Sequence, residues 1–132
     1  MTNDLFGSVI SVYTRTQALA DGVLVDVTDT AREAGFVFPV ALTHAVWEDC
    51  VGWSAEDTKR KGGPQDEMGR LWDVLWMAKL AARKGGERIL FQLYRVPREG
   101  RGVRAKLVTL AAHCGQGDDG EPVVTIMMSA ED

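Results

Sequence analysis

Apolar and polar residues alternate along the last third of the chain in the manner of β-strands. Ile89, Phe91 and Leu93 occupy every second position of one such segment, and two further segments rich in β-branched residues follow. The three segments span residues 89–96, 106–114 and 123–128. Short glycine-containing connections between them predict an antiparallel three-stranded meander.

A long helix is predicted from Pro64 to Lys84. Proline suits a first helical position, Asp66 and Glu67 favour the positive end of the helix dipole, and Gly85 favours termination. At about 100° per residue, six apolar residues share one face. They are Met68, Leu71, Val74, Leu75, Ala78 and Ala82, and the residues expected opposite them are Asp66, Arg70, Asp73 and Lys84. The apolar face is expected to pack across the sheet.

The first half of the chain predicts shorter elements. In order, these are a strand over 8–13, a capped helix from Thr14 to Gly22, a buried strand over 23–27, a second capped helix beginning at Thr30 and ending at Gly35, and a helix from Pro39 to Val51. The last of these rests on Leu42, Val46 and Cys50, which recur every fourth residue. The segments predicted as loops are 54–63, 97–105 and 115–122.

Together these elements predict an α+β fold. Its antiparallel β-sheet consists of the C-terminal meander, which the N-terminal strands can extend, and it packs against one long helix and shorter helices. A chain of 132 residues is near the usual size of one domain, so residues 1–132 are expected to form a single domain. Apolar residues make up 45% of the chain and charged residues 26%, which is typical of a globular protein and excludes overall disorder.

The N-terminal residues lack a basic stretch followed by an apolar one, and no segment reaches the ~18 apolar residues that span a bilayer. The expected location is therefore the cytoplasm. Cys50 and Cys114 could form at most one disulfide, and both are interpreted as reduced, small residues of the core.

The net charge of −4 is unevenly distributed along the chain. Residues 1–58 carry two basic and nine acidic side chains, residues 59–106 carry thirteen basic and five acidic ones, and residues 107–132 carry five acidic ones. If these segments stay apart in space, the surface is bipolar and favours a charged partner. If they fold against each other, they largely neutralise.

No complete catalytic, metal or cofactor motif is present. His113 and Cys114 are adjacent in a predicted strand, so their side chains point to opposite faces and cannot form a nucleophilic pair. His44 and Glu48 could share a metal only with a third, distant ligand such as His113 or Asp26, and a surface ion pair is favoured. No catalytic residue, metal ligand or cofactor is therefore assigned.

The glycine-rich segment 115–121 resembles a phosphate loop or a calcium loop only superficially. It carries three acids and no lysine, precedes a strand, and lacks the alternating ligands of a calcium loop. Asp119-Gly120 instead favours a hairpin turn.

Two groups of residues are candidates for binding a partner. The first surrounds the loop between two predicted strands and could grip phosphates or an acidic protein face; it comprises Arg95, Arg98, Arg101, Arg104 and Lys106. The second lies on one flank of the long helix and could stack on bases or anchor a protein interface; it comprises Trp72, Trp76, Lys79 and Arg83. The alternatives are solvated loop charges and tryptophans at the edge of the core.

Several stretches of the chain resemble a family of small bacterial proteins of unknown function, carried largely on plasmids, phages and integrated elements. The stretches are Leu5-Phe6-Gly7, residues 20–27, residues 30–35, Gly69-Arg70-Leu71-Trp72-Asp73-Val74-Leu75-Trp76-Met77 and residues 117–123. The resemblance brings no activity and no functional residues. It implies a setting, because mobile elements commonly carry small inhibitors of host defence, including proteins that block CRISPR or restriction complexes.

These observations favour a non-enzymatic binding protein that occludes a protein partner, such as a host defence complex. A nucleic-acid-binding protein that uses the basic loop is the first alternative. An enzyme with a dispersed site built from His44, Glu48, Asp26 and His113 is the second. The oligomeric state and the identity of the partner stay open.

Overall fold

A computed structural model describes residues 13–131 as five α-helices, one of which continues into a π-helical turn, and a five-stranded sheet. The helices are α1 (Arg15–Ala20), α2 (Thr28–Glu33), α3 (His44–Val46, followed by the π-turn Trp47–Val51), α4 (Ala55–Lys61) and α5 (Glu67–Ala82). The strands are β1 (Leu24–Asp26), β2 (Val40–Thr43), β3 (Arg88–Arg95), β4 (Lys106–Gln116) and β5 (Pro122–Met128).

The strands are arranged in the order β1-β2-β5-β4-β3. β3, β4 and β5 form the predicted antiparallel meander, and β1 and β2 extend it from the other side. The pairing of β2 with β5 is parallel, so the sheet is mixed rather than wholly antiparallel. The predicted α+β class is confirmed.

α5 packs the predicted apolar face on the sheet. Val74, Leu75 and Ala78 are fully buried, and they belong to the same core cluster as Phe91 and Leu93 of β3. Met68 was expected on this face but is 57% exposed, because it lies in the first turn beyond the edge of the core.

The helix α5 begins three residues later than predicted. The carboxylate of Asp66 accepts hydrogen bonds from the amides of Met68 and Gly69, so Asp66 is the N-cap and Pro64 precedes the helix. A capping carboxylate therefore determines the start of this helix.

The first capping prediction is confirmed and extended by a distant residue. Thr14 and Gln17 form a reciprocal capping box at the start of α1, and Gly22 follows with a φ of +79°. Asp118 of the β4–β5 turn adds a second cap, because its carboxylate accepts the amides of Arg15 (2.7 Å) and Thr16 (3.0 Å). α1 is thereby fixed to the hairpin.

The predicted helix from Pro39 to Val51 is wrong in its first half. Val40, Ala41 and Leu42 are all buried within β2, between β1 and β5, and the helix begins only at His44. A run of consecutive apolar residues fits a strand buried on both faces as well as it fits one turn of helix. Pairing with β5 decides in favour of the strand.

Three other sequence expectations differ from the structure. α2 begins at Thr28 rather than after Thr30, and Val27 at its N-cap makes no side-chain capping bond. The segment 23–27 forms a strand only at Leu24–Asp26, on the outside of the sheet, and is partly exposed rather than buried. The predicted loop 54–63 contains α4, which a Ser54–Asp57 capping box initiates although the helix has no apolar stripe.

Two predictions are only partly covered by the described residues. The predicted strand over 8–13 lies outside them except for Tyr13. Both cysteines are free and Cys50 is buried as expected, but Cys114 is exposed rather than part of the core. Within residues 13–131, no helix has both the length and the apolar character required to cross a bilayer.

Candidate binding surface

Arg70 is buried inside the protein, although the helical pattern had assigned it to the polar face of α5. Its guanidinium donates to the carbonyls of Val51 (3.0 Å), Val96 (3.1 Å) and Asp49 (3.3 Å). It also lies 4.9 Å from the centroid of the Trp53 ring. Two of these carbonyls belong to the π-turn after α3, so Arg70 joins that turn to the end of β3.

Two cations of α4 hold the loop between β3 and β4. Arg60 donates to the carbonyls of Arg98 and Gly100, and Lys61 donates to the carbonyls of Glu99, Gly100 and Gly102. Lys61 is buried, and this burial, followed by the nearby charge of Arg60, lowers its pKa. The loop of residues 96–105 is therefore an ordered part of the structure.

The first two arginines of the predicted basic group are engaged in internal ion pairs. Arg95 binds the carboxylate of Asp49 at 2.9 Å, and Arg98 binds the carboxylate of Asp57 at 2.8 Å and that of Glu48 at 3.5 Å. We call Arg60, Lys61, Arg70, Arg95 and Arg98 the cationic clasp. Its charges are used to hold backbone carbonyls and carboxylates within the molecule.

A cleft of about 500 Å³ lies beside the clasp. Its lining includes Glu48, Asp49, Asp57, Arg98 and Glu99. Three of the four acids are paired with arginines, so the cleft is an internal ion-pair network more than an open anionic site.

The other three members of the predicted basic group point to solvent. Arg101, Arg104 and Lys106 are exposed, and none forms an ion pair with a carboxylate among residues 13–131. These three cations, rather than the five predicted, are available to a partner.

The tryptophans of α5 lie on the surface. Trp72 and Trp76 are 37% and 45% exposed, and their rings stack almost in parallel, 9° apart in plane and 6.5 Å apart between centroids. Trp76 also lines a groove of about 450 Å³ with Tyr94 and Leu107, which are 68% and 47% exposed. We call Trp72, Trp76, Tyr94 and Leu107 the apolar patch.

Sequence reasoning identified only the helical half of the apolar patch. The signal for Tyr94 was its position one residue after Leu93, which places it on the outer face of β3 where polar residues are usual. Leu107 lies opposite Tyr94 in the sheet. The pairing of β3 with β4 therefore creates the second half of the patch.

The two cations predicted beside the tryptophans have different environments. Lys79 donates to the carbonyl of Gly35 at 2.6 Å and lies 5.8 Å from the centroid of the Phe36 ring, so it joins α5 to the end of α2. Arg83 is exposed at the C-cap of α5. Only Arg83 extends the patch with a solvent-facing charge.

The groups that could build a dispersed catalytic site are engaged elsewhere or exposed. The carboxylate of Asp26 accepts from Thr28, Glu48 pairs with Arg98 rather than with His44, and His44 is exposed. Consecutive positions in β4 turn His113 and the exposed Cys114 to opposite faces. In the part of the chain that the structure describes, no group of three or more histidine, cysteine or acidic side chains could hold a metal ion.

The ionisation of two buried groups follows from their surroundings. Burial, followed by the charge of Asp49, raises the pKa of the Cys50 thiol to about 12, so the thiol stays protonated at neutral pH. The backbone amide of Ser54, its hydroxyl and Arg98 lower the pKa of Asp57 to about 2. Asp57 is therefore a fixed anion that anchors the clasp.

The fold and surface define a small α+β protein with a mixed five-stranded sheet, an internal cationic clasp and an exposed apolar patch. The chain belongs to the family described as "Family of unknown function (DUF6573)", whose model matches residues 1–132. No curated protein and no solved structure matches the chain.

We expect Arg70→Met to destabilise the fold by about 3 kcal/mol or more, because it leaves three carbonyls inside the protein without their donor. Equilibrium urea unfolding of the variant and the wild type measures this difference. Arg32→Met, at an exposed helical arginine, is the matched control and should change stability by less than about 0.5 kcal/mol. A loss for Arg70→Met as small as that of the control would contradict the structural role of the clasp.

We expect Asp57 to make stability depend on acid pH. Its pKa in the folded protein is about 2, below the ordinary value of 3.8, so its contribution is complete above about pH 5 and is lost as the pH falls toward 2. Urea unfolding of the wild type and Asp57→Asn over this range should show a stability difference that shrinks with acidification. A difference that stays constant down to pH ~2 would show that the charge of Asp57 contributes nothing.

Proposed function

We propose that the protein is a non-enzymatic binding protein that docks the apolar patch on a partner protein and thereby occludes it. The observation that carries this proposal is the stacked, exposed pair of Trp72 and Trp76 next to Tyr94 and Leu107. Tryptophan and tyrosine dominate the energetic centres of protein interfaces because they bury a large area with few rotatable bonds.

The distribution of charge supports a protein partner over a nucleic acid. Arg95 and Arg98, which were the start of the predicted phosphate-gripping row, are neutralised by Asp49, Asp57 and Glu48. The groove of the patch also includes Asp73, which would repel phosphate. The surface is thus mixed in charge around an apolar centre, as protein interfaces are.

We further propose that the partner belongs to a host defence complex of the CRISPR or restriction type, and that the protein acts in the cytoplasm of a bacterial cell. This rests on the resemblance to small bacterial proteins carried on plasmids, phages and integrated elements. Inhibition by occlusion needs a rigid docking surface and no chemistry of its own.

The test compares the wild type with the double variant Trp72→Ala/Trp76→Ala in two assays. In a bacterial host with an active defence system, expression of the wild type should raise phage plating, and the protein should retain one saturable component of that system in a pull-down identified by mass spectrometry. Loss of the two indoles should weaken that complex by roughly 30-fold or more and abolish the protection.

Phe38→Ala is the matched control, since Phe38 is 44% exposed but lies outside the patch. Its binding and protection should equal those of the wild type. Thermal unfolding of each variant shows that the fold is retained. If no saturable protein partner exists and every defence system tested keeps full activity, the proposal is wrong.

The second candidate function is binding of single-stranded nucleic acid. It is favoured by the three exposed cations without a carboxylate partner, of which Lys106 directly precedes Leu107 of the patch. Bases could stack on Tyr94 while Arg101, Arg104 and Lys106 contact phosphates.

If this candidate is right, affinity for labelled single-stranded oligonucleotides falls steeply with salt. Arg101→Ala/Arg104→Ala should then weaken binding and reduce the slope of log K against log salt by about 2. Arg32→Ala, at an exposed arginine paired only with Asp29, is the control and should leave the slope unchanged. An absence of binding at low salt removes this candidate.

A further inference from the structure

The free edge of β3 presents unpaired backbone groups. The amide of Cys114 donates to the carbonyl of Glu87 at 2.8 Å, which fixes the alternation of hydrogen bonds between β3 and β4. Leu90, Gln92 and Tyr94 therefore turn their N–H and C=O groups away from β4. The hydrogen bonds of residues 13–131 include none to these outward backbone groups.

This edge lacks the usual protection against pairing. Residues 88–95 contain no proline and no glycine, and β3 pairs with β4 without a bulge along its whole length. The exposed side chains next to the free backbone are Leu90 (56%) and Tyr94 (68%). The open stretch ends at Val96, where Arg70 donates to the carbonyl.

A groove follows the same edge and has walls on both sides of it. α5 contributes Asp73, Trp76 and Met77, and the outer face of the sheet contributes Gln92, Tyr94 and Leu107. A strand added to β3 would point successive side chains to opposite faces. One set would contact Trp76 and Met77, and the other would contact Tyr94.

A second copy of this chain does not fit the edge. α5 packs on β3 more than on any other strand. Paired strands lie about 4.8 Å apart, whereas packed helices need about 8–10 Å between their axes. Two copies joined through β3 would bring their α5 helices into collision, so the occupant must be an extended segment without a helix over it.

The charge around the edge indicates the chemistry of that segment. Residues 87–106 carry six arginine or lysine side chains and only two acids. Arg95 and Arg98 are paired internally, which leaves Arg101, Arg104 and Lys106 near one end of β3 without a carboxylate partner among the described residues. An acidic segment would complement them.

We propose that β3 binds an extended segment of a partner protein by strand addition, and that this segment alternates apolar residues with aspartate or glutamate. The inference rests on the proposed function and specifies how the partner is held. Backbone hydrogen bonds to Leu90, Gln92 and Tyr94 supply the alignment, and the apolar patch receives alternate side chains.

The test is selection of a random-peptide display library on the immobilised full-length protein, followed by affinity measurements with synthetic copies of the enriched peptides. Enriched peptides should alternate apolar and acidic residues. The decisive variant is Gln92→Pro, which removes an outward N–H at an edge position where proline is tolerated. Gln92→Val is the matched control, because it keeps the N–H and changes only the side chain.

We expect Gln92→Pro to weaken peptide binding by about tenfold and Gln92→Val to change it by less than about twofold. Trp76→Ala should also weaken binding, because it removes one wall of the groove. Circular dichroism shows that the variants are folded. Equal affinity of Gln92→Pro and Gln92→Val would overturn strand addition.

Other results would also overturn the proposal. These are enrichment of basic peptides, enrichment of peptides with a helical repeat, full displacement of the peptide by a single-stranded oligonucleotide, or a dimer of the chain that Gln92→Pro dissociates. If Gln92→Pro still protects phage fully while Trp72→Ala/Trp76→Ala does not, strand addition fails and the proposed function stands. If the wild type neither protects phage nor enriches any peptide, both fail.

Discussion

A single buried guanidinium connects the parts of the structure that form its surface. Arg70 extends from α5 to the carbonyls of the π-turn and of Val96, and thus joins the centre of the core to the start of the β3–β4 loop. A π-turn leaves backbone carbonyls that a regular helix would satisfy, and burial makes an unsatisfied carbonyl costly. One arginine with several donors meets this requirement where an apolar side chain could not.

The clasp also explains how the uneven charge of the chain is accommodated. Basic side chains of the middle segment meet acids of the first segment at Asp49 and Asp57, so the two segments partly neutralise each other. Part of the basic charge stays outside this network, at Arg101, Arg104 and Lys106. The interpretation of separate charged lobes and the interpretation of mutual neutralisation are therefore each correct for part of the surface.

Much of the fold could be predicted from local patterns. The period of two in β3, the period of 3.6 in α5 and the capping box of α1 are properties of neighbouring residues, and each was identified correctly. β2 and the burial of Arg70 could not be predicted in this way, because both depend on distant partners: β5 for the strand, and the π-turn for the arginine. α4 was missed because it has no apolar stripe, and its helix depends on the Ser54–Asp57 box and on contacts with the loop.

The candidate surface shows the same division. The tryptophans of α5 were identified from their spacing, whereas Tyr94 and Leu107 join them only through the pairing of β3 with β4. Sequence reasoning also treated five basic residues as equivalent, although their roles differ. Arg95 and Arg98 became internal because the acids that bind them lie at least 41 residues away along the chain.

The bond between Asp118 and α1 has a consequence for synthesis of the protein. α1 has only six residues, too few to be stable as an isolated helix, and one of its caps lies 103 residues downstream. During translation, this N-terminal segment cannot acquire its final anchor until the β4–β5 turn has left the ribosome. The first described helix is therefore among the last elements to be secured, and the nascent chain must keep it unattached until then.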